Sequence, residues 1–390
     1  MTRPVLVDLG VVSALGCGVE ETARNLFAGD TDGLRPLTGL AGGDQTMFGF
    51  ARGMAASDAS TGVGRLLDAA FAQLDLAALA RAVDPSRVGV VLGTSNSTME
   101  EFTSCPDCID MAYPDCIDMA YPAAYVRAKG GFGGPAWSVS TACSSSAKVF
   151  AAARRLLADG LCDAVVVGGA DAYTRTVVEG FHALEALSAR RARPLCADRD
   201  GISLGEGAAL FVLVARDRAA VWGGRPVVLC GVGESSDAHH LTAPDPEGRG
   251  AEASMRAALA DAGLSPADID YINLHGTGTV YNDAMECAAV RRVFGDAVAV
   301  SSTKPLTGHC LGAAGAVEAA LAWISLRRGK GLPPHVASPV DWELAPFPIP
   351  AVGDATPVRT VLSNSFAFGG SNASLILGVA GTDPAAAPMV

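Results

Sequence analysis

Short apolar runs alternate along the chain with longer segments in which apolar residues recur at helical spacing. Four runs in the first half lie at residues 4–14, 88–93, 163–171 and 208–215. Their near-continuous apolar character is typical of strands buried on both faces of a sheet. Between the first two runs, Leu67, Phe71 and Leu74 share one face of a helix predicted over about 64–81. The first half therefore predicts alternating α and β elements.

The second half repeats this order of elements. Its predicted strands lie at residues 227–233, 269–274, 297–301, 358–364 and 373–379, and its predicted helices at about 250–262, 283–293 and 312–328. The repetition predicts two similar α/β halves packed against each other, each with a mixed, largely parallel sheet covered by helices. Because the pattern starts again near Trp222, we predict halves at 1–222 and 223–390.

Composition narrows the class of protein. The chain has 390 residues, of which 49% are hydrophobic and 18% charged, so it can bury a large core. Its mean hydropathy is +0.29, yet no apolar run approaches the roughly 18 residues that a membrane span needs. Asp8 interrupts the N-terminal apolar run and no cleavage-site pattern follows, which argues against a secretory signal.

Cysteine usage and net charge bear on the compartment and the partners. The ten cysteines are scattered through core-like segments, which favours a reducing cytoplasm over a disulfide framework. A formal net charge of −12 argues against nucleic acid as the main partner. We therefore expect a cytoplasmic protein without a membrane or nucleic-acid partner.

A candidate nucleophile, Cys143, lies where a short β run ends in small residues and a helix begins. Helix N-terminal N–H groups stabilise a thiolate, so this position predicts a lowered thiol pKa. A lone cysteine is more often a packing residue. Two glycine-flanked histidines, His275 and His309, favour catalysis, because a nucleophilic cysteine needs such partners.

An octapeptide, Pro-Asp-Cys-Ile-Asp-Met-Ala-Tyr, occurs twice in succession, at 106–113 and 114–121. The unit is too short for a solenoid repeat, so we interpret it as a duplication within a loop or short helix. Cys105 and Cys108 have the spacing of a metal-binding pair, but no second pair and no histidine lies nearby. We predict no metal site there.

Four motifs occur in an order that is typical of one family. They are Thr-Ala-Cys-Ser at 141–144, His-Gly-Thr-Gly-Thr at 275–279, Lys-Pro-Leu-Thr-Gly-His at 304–309 and Asn-Ser-Phe-Ala-Phe-Gly-Gly at 364–370. With them the chain resembles the β-ketoacyl-acyl-carrier-protein synthases, the condensing enzymes of fatty-acid and polyketide synthesis. The resemblance extends from Gly10 to Asn372. It implies a thiolase-like fold, in which two duplicated α/β halves form α-β-α-β-α layers.

The resemblance also implies how the site works. Cys143 would take an acyl group from the phosphopantetheine thioester of an acyl carrier protein. Malonyl-carrier protein would then lose carbon dioxide, and its carbanion would attack the acyl thioester. His275 and His309 would donate N–H groups to the enolate oxygen, and Lys304 would complete the catalytic set. Backbone N–H groups of Cys143 and Phe368 would form the oxyanion hole.

Supporting roles follow from the same resemblance. Lys304 and Glu318 would form an ion pair that organises the histidines, and Phe368 would gate the acyl pocket. Asp283 and Glu286 match a supporting acidic pair. Gly369 and Gly370 would let the chain approach the site closely, and no metal is implied.

The chain departs from the family pattern in three places. Ala367 stands where glycine is usual, which predicts a stiffer gate. Leu195-Cys196 replaces a commoner aromatic and acidic pair, and the octapeptide duplication precedes the nucleophile. All three leave the acyl length and type open.

The implied partners are an acyl carrier protein and a second subunit, either a copy of this chain or a chain-length-factor-like protein. No cofactor is implied beyond the carrier's phosphopantetheine. Because carrier proteins are acidic, basic residues are candidate docking groups: Arg190, Arg191 and Arg193, with Arg127 and Lys129. Two other functions stay open, an acyl-thioester hydrolase and a non-catalytic scaffold.

Overall fold

The alternation of strands and helices is present in the folded chain, which the computed structural model describes at residues 3–103 and 118–379. In these ranges the strands are β1 (Val5–Ser13), β2 (Gly16–Cys17), β3 (Leu34–Thr38), β4 (Gln45–Gly49), β5 (Val88–Gly93), β6 (Ala136–Val139), β7 (Ala164–Asp171), β8 (Leu204–Gly205), β9 (Gly207–Val214), β10 (Val227–Ser236), β11 (Tyr271–Asn273), β12 (Ala299–Ser301), β13 (Thr360–Phe366) and β14 (Ser371–Val379). The α-helices are α1 (Val19–Ala28), α2 (Gly62–Phe71), α3 (Leu76–Ala82), α4 (Met99–Thr103), α5 (Tyr121–Gly130), α6 (Ser145–Ala158), α7 (Arg175–Ala183), α8 (Arg249–Ala262), α9 (Val280–Phe294), α10 (Lys304–Thr307) and α11 (Ala314–Arg328).

Two groups of five strands share one topology. The first runs β6-β5-β7-β9-β1 and the second β12-β11-β13-β14-β10. When the five strands of each group are numbered by their order along the chain, their order across the sheet is 3-2-4-5-1 in both groups. This shared order confirms that the second half echoes the first. The groups join where β1 pairs with β10, with Val5 opposite Val228 and Leu6 opposite Val227. A separate small sheet has the order β3-β4-β8.

The expectation of mixed, largely parallel sheets is confirmed, since four of the five strands in each group run in one direction and the fifth runs against them. In each group the third, second and fourth strands pair in parallel, whereas the fifth pairs antiparallel with both of its neighbours. The reason is plain at β13 and β14, which only residues 367–370 connect. A parallel pair needs a crossover connection of a dozen or more residues. The connection between β13 and β14 is too short for one, so these two strands pair antiparallel.

Five layers result, as the resemblance implies. Helices α6 and α11 lie between the two groups of strands, since each contacts strands of both halves. Every residue from 314 to 326 of α11 is buried, as a helix enclosed on all sides requires. On the outer faces, α2 and α5 cover the first group, and α8 with α9 covers the second. The layers are therefore α-β-α-β-α.

One predicted helix is in fact two. The segment at 64–81 forms α2 and α3, separated at residues 72–75. Asp75 begins α3 as its N-cap, because its side chain accepts a hydrogen bond from the backbone N–H of Ala78 at 2.7 Å. The apolar spacing of Leu67, Phe71 and Leu74 did not reveal this break.

The first octapeptide copy and residues 114–117 of the second lie outside the described residues, as do Cys105 and Cys108. The interpretation of that segment and of its cysteines stays a prediction. In the described part of the chain, no helix is both long and apolar enough to cross a membrane.

Candidate active site

Cys143 lies in the turn between β6 and α6. Ala142, just before it, has φ 51°, a left-handed value that is unusual for a residue other than glycine. Ser145 holds this turn: its hydroxyl accepts from the N–H of Thr141 at 2.9 Å and donates to the carbonyl of Ala142 at 2.6 Å. Cys143 is 6% exposed. The turn therefore presents the thiol from a fixed backbone.

His309 comes from the second half and lies against this thiol. Its Nε2 is 3.0 Å from Sγ of Cys143. The backbone of His309 is anchored to β8 and to Ser203, the residue before that strand. The N–H of His309 donates to the carbonyl of Ser203 at 2.7 Å, and the carbonyl of His309 accepts from the N–H of Gly205 at 3.0 Å. Gly308 provides the left-handed φ of 70° that this turn requires.

His275 lies on the loop after β11, and the carboxylate of Glu286 holds this loop in place. The two oxygens of Glu286 accept the consecutive N–H groups of His275 and Gly276, both at 2.8 Å. The rings of His275 and His309 have centroids 5.2 Å apart and are inclined at 84°. Sγ of Cys143 and one nitrogen of each ring all lie within 4.8 Å of one another. The three residues that the sequence singled out are therefore together.

The second member of the acidic pair, Asp283, links two loops. Its carboxylate accepts from the N–H of Leu195 at 3.0 Å and from the N–H of Gly278 at 3.2 Å. Burial raises the pKa of both Asp283 and Glu286, that of Glu286 to about 7. Each accepts from two backbone N–H groups and from one asparagine side chain, Asn282 for Asp283 and Asn364 for Glu286. These contacts suit the supporting position that the resemblance implies.

The expected ion pair is present beneath the histidines. Nζ of Lys304 lies 2.5 Å from Oε1 of Glu318, and the two side chains are 1% and 2% exposed. Burial raises the pKa of Glu318, and the adjacent ammonium of Lys304 opposes this shift. Burial lowers the pKa values of both histidines, and the Lys304 charge adds to this effect.

The turn at 367–370 brings a backbone N–H to the thiol. Burial raises the pKa of the Cys143 thiol, and the N–H groups of Phe368 and Cys143, which face the sulfur, oppose this rise. The ring of Phe368 stacks on that of Phe181 with centroids 5.6 Å apart. Ala367 has φ −105°, an ordinary extended value. Alanine therefore fits this backbone without strain, and the stiffer gate stays a prediction.

The two glycines of this turn have left-handed φ values, 80° at Gly369 and 75° at Gly370. A side chain at Gly370 would also come within 2.9 Å of Cβ of Asp237. Glycine is required there both for its φ and for the close approach of the two segments.

The predicted lowering of the Cys143 pKa is wrong for this pocket. Burial raises the pKa of the thiol to about 12, although Lys304 and the two backbone N–H groups oppose the shift. Burial and the Lys304 charge lower the pKa values of His275 and His309 well below the ordinary range. The resting site therefore holds a thiol and two neutral imidazoles at neutral pH.

A cavity of about 350 Å³ connects this group to the surface. Cys143, His275 and His309 lie on its wall, together with Phe368. The cavity has the volume and the mixed apolar and polar lining of a small-molecule site. It can admit a slender thioester arm to the sulfur.

Two family models match the chain. "Beta-ketoacyl synthase, N-terminal domain" matches residues 36–219, and "Beta-ketoacyl synthase, C-terminal domain" matches residues 227–337. The chain belongs to the beta-ketoacyl synthase family. The synthase is accordingly an acyltransferase with the thiolase-like fold that the sequence predicts.

Relatives match over almost the whole synthase. It is 35% identical to 3-oxoacyl-[acyl-carrier-protein] synthase 2 of Rhizobium meliloti, over 97% of this chain and 99% of that protein. The synthase 2 of Coxiella burnetii is 33% identical, over 96% of this chain and 98% of that protein. A solved ketosynthase from Xenorhabdus doucetiae, in complex with its chain length factor, is 38% identical with a TM-score of 0.86, covering 97% of this chain and 98% of that one.

Three of the five candidate docking residues, Arg190, Arg193 and Lys129, are paired with carboxylates within the synthase. Arg190 pairs with Asp198 at 2.9 Å and with Asp200 at 3.3 Å, and Arg193 pairs with Asp198 at 2.9 Å. The other members also have partners within the chain: Arg191 with Thr31, Arg127 with the carbonyl of Phe132, and Lys129 with Asp68. The sequence showed the arginines but not that aspartates would face them.

Sequence reasoning missed one buried carboxylate near the site. Asp171 ends β7 and accepts hydrogen bonds from the hydroxyls of Thr94 and Ser95, at 2.6 and 2.7 Å. The same Ser95 hydroxyl accepts from the N–H of Gly312, three residues after His309. A carboxylate that ends an otherwise apolar buried strand was the available signal.

Proposed function

We propose that the synthase loads an acyl group onto Cys143 and condenses it with malonyl-carrier protein, with loss of carbon dioxide. The observation that carries this proposal is the meeting of one thiol and two neutral imidazoles at the end of one cavity. Phosphopantetheine of the carrier protein would hold both substrates, and no other cofactor is needed.

In the first step, Sγ of Cys143 attacks the thioester carbon of the acyl carrier. The bond from that carbon to the carrier sulfur breaks, and the thiol proton leaves with the carrier thiol. His309 is the proton acceptor within reach, since its Nε2 lies 3.0 Å from Sγ. The N–H groups of Cys143 and Phe368 bind the developing oxyanion.

In the second step, malonyl-carrier protein loses carbon dioxide and negative charge gathers on its thioester oxygen. His275 and His309 donate N–H groups to that oxygen, which is worth most in a buried site that excludes water. For this step His309 carries its hydrogen on Nε2, the nitrogen that accepted the thiol proton in the first step and passed it to the carrier thiol. The enolate carbon then attacks the acyl carbon on Cys143, the bond from that carbon to Sγ breaks, and the released thiolate takes up one proton from water to restore the thiol. The product is a β-ketoacyl thioester on the carrier.

The product distinguishes this proposal from hydrolysis. Wild-type enzyme with acyl and malonyl carriers should release carbon dioxide and form a β-ketoacyl carrier, detected by mass spectrometry. Cys143→Gln should abolish condensation and leave malonyl decarboxylation, whereas His309→Ala should impair decarboxylation. Free acid as the main product, or normal decarboxylation by His309→Ala, would contradict the proposal.

We also propose that a second subunit pairs with strand β6. Among the described residues, β6 ends its group of strands and pairs only with β5, and Trp137 on it is 36% exposed. The opposite end strand, β12, is covered, since its Val300 N–H donates to the carbonyl of Pro348 at 3.0 Å. An uncovered strand edge is a template for another chain.

The nature of that subunit follows from the solved relatives. Two of them, the ketosynthase from Xenorhabdus doucetiae and the ishigamide ketosynthase at 30% identity and a TM-score of 0.86, are described with a chain length factor. We therefore favour a chain-length-factor-like subunit, with this chain as the cysteine-bearing member, over a second copy of this chain.

The carrier protein would dock around the cavity mouth mainly through apolar contacts. Four exposed apolar side chains lie at or beside the mouth: Leu184, Leu241, Val280 and Tyr281. The thioester arm must enter there, and the arginine cluster is occupied by its own aspartates. Apolar contact is thus the larger available source of affinity.

The cytoplasm is the compartment that we propose. All seven cysteines in the described part of the chain are free rather than paired. Six of them are buried, and Cys17 is partly exposed. A thiol nucleophile that must stay reduced suits a reducing compartment.

A further inference from the structure

His335 is a buried histidine that the mechanism above does not use. It lies in the connection between α11 and β13 and is 8% exposed. Its Nε2 lies 3.1 Å from the carbonyl of Pro194, and its Nδ1 accepts from the N–H of Ser302 at 3.3 Å. A carbonyl can only accept, so Nε2 carries the hydrogen and Nδ1 does not. Burial lowers the pKa of His335 to about 4, which keeps this neutral form at neutral pH.

The peptide group between Pro194 and Leu195 is held from two sides. Its carbonyl accepts from Nε2 of His335, and its N–H donates to Asp283 at 3.0 Å. Leu195 has φ 62°, a left-handed value that is rare for leucine. These two contacts hold in place a backbone conformation that would otherwise be unfavourable.

Ser302 connects His335 to the backbone next to His275 and to the backbone of Lys304. While its N–H donates to His335, its hydroxyl donates to the carbonyl of Gly276 at 2.6 Å. Gly276 directly follows His275. The same hydroxyl accepts from the N–H of Lys304 at 3.3 Å. A shift of Ser302 would therefore move the backbone beside His275 and beside Lys304.

These contacts close into a ring around the His275 loop. From His335 the ring passes through Ser302 to the carbonyl of Gly276. It then follows the backbone to Gly278, whose N–H donates to Asp283, and Asp283 also accepts from the N–H of Leu195. The carbonyl of Pro194, which precedes Leu195, returns the ring to His335. Every residue of this ring is buried. Buried polar groups that lose a partner in such a network are costly, so the ring resists local displacement.

We propose that His335 is a positioning residue for the decarboxylation step: by closing this ring it holds the His275 loop at the place where the enolate oxygen forms. The inference rests on the proposed function. It predicts a selective defect, because Cys143 and His309, which carry the acylation step, lie outside the ring. Displacing a catalytic group by about 1 Å costs roughly a hundredfold, and a partial loosening costs less.

The test compares two half-reactions of the same protein. His335→Phe keeps a planar ring but offers neither hydrogen bond. We expect its kcat for malonyl-carrier decarboxylation to fall about tenfold or more, while transfer of an acyl group to Cys143 stays within about twofold of wild type. His335→Asn places an acceptor near the position of Nδ1, so it can restore the Ser302 contact but not the Pro194 contact, and it should recover part of the lost decarboxylation.

Two further variants guard against a purely structural effect. Trp323→Phe removes a different buried hydrogen bond, from Nε1 to the carbonyl of Leu6 at 3.1 Å, and should leave the ratio of the two half-reactions unchanged. Should His335→Phe not fold, Ser302→Ala, which breaks the ring at the carbonyl of Gly276, should show the same selective loss. Equal losses in both half-reactions, or normal decarboxylation, would overturn the proposal. A wild-type enzyme that neither acylates nor decarboxylates would instead contradict the proposed function.

Discussion

At the scale of single residues, burial decides the chemistry of the nucleophile. The position of Cys143 before a helix predicts a thiolate, yet the enclosed pocket raises the thiol pKa to about 12. The proton must then leave as the sulfur attacks, and Nε2 of His309 is placed to receive it. Burial therefore favours the thiol as the resting form of Cys143.

The pH dependence of Cys143 alkylation tests this state. Only the thiolate reacts, and below the pKa its fraction grows about tenfold per pH unit. With a raised pKa, the rate of iodoacetamide labelling at Cys143 should keep rising between about pH 7 and pH 9. Mass spectrometry of the peptide that contains Cys143 measures it, with Cys143→Ala as the background. A rate that levels off near pH 7 would show a lowered pKa instead.

The buried ion pair of Lys304 and Glu318 gives a second prediction. Lys304→Met should lower the free energy of unfolding by about 3–5 kcal/mol, because it leaves the Glu318 carboxylate buried without its cation. The double variant Lys304→Met/Glu318→Leu should recover much of that loss, and both proteins should be inactive. Urea unfolding measures the difference. Equal stability of the single and double variants would contradict the assigned pairing.

At the scale of elements, the central helices bring the two halves of the site together. Cys143 precedes α6, and Glu318 lies on α11. The helices approach closely at Gly315, where an added Cβ would lie 2.7 Å from the backbone nitrogen of Ala147. This contact couples the position of the nucleophile to that of the ion pair.

Gly315→Ala should therefore push α6 and α11 apart. We expect a loss of about 1–3 kcal/mol in the free energy of unfolding, together with at least a tenfold loss of condensation rate. Gly180→Ala is the matched control, since it adds a methyl group on α7 with no heavy atom within 4 Å. That control should be neutral or stabilising by up to about 1 kcal/mol. Identical behaviour of the two variants would show that the helix contact does not matter.

At the scale of the whole molecule, duplication places the site between halves that each lack part of it. Cys143 follows a strand of the first group, while His275 follows β11 and His309 follows α10, both in the second half. The same duplication leaves two end strands, of which β6 pairs with β5 alone among the described residues. The order of strands thus places the catalytic residues together and leaves β6 as the edge at which we propose the second subunit.

The β6 edge can be tested by a charge. Trp137→Glu should prevent the second subunit from pairing, because a charge on an edge strand opposes the addition of another strand. Trp342→Glu is the control, since Trp342 is 63% exposed and lies outside the sheet. Light scattering of the co-expressed subunits should show the complex with the control and not with Trp137→Glu. A complex that forms with both would place the interface elsewhere.

Apolar docking of the carrier predicts weak salt dependence. Between about 50 and 500 mM NaCl, KM for the carrier-bound substrate should change by less than about threefold, since salt screens charge pairs and spares apolar contact. Leu241→Ser and Tyr281→Ser should raise that KM, whereas Trp342→Ser should not. Activity towards a small thioester should stay near wild type with Leu241→Ser. A steep rise of KM with salt would return the docking role to the arginines.

The resemblance to the condensing enzymes implied which cysteine, histidines, lysine and glutamate would meet. The order of strands and helices and the echo between the halves followed from the residue pattern alone. Local spacing carries that information, because the period of apolar residues and the residues around a turn depend on near neighbours. Tertiary structure alone decided the thiol pKa of Cys143, the neutralisation of Arg190 by Asp198, and the ring that His335 closes. Each is a sum of contacts between segments far apart in the chain. Burial and charge pairing act through space, and no local pattern records them.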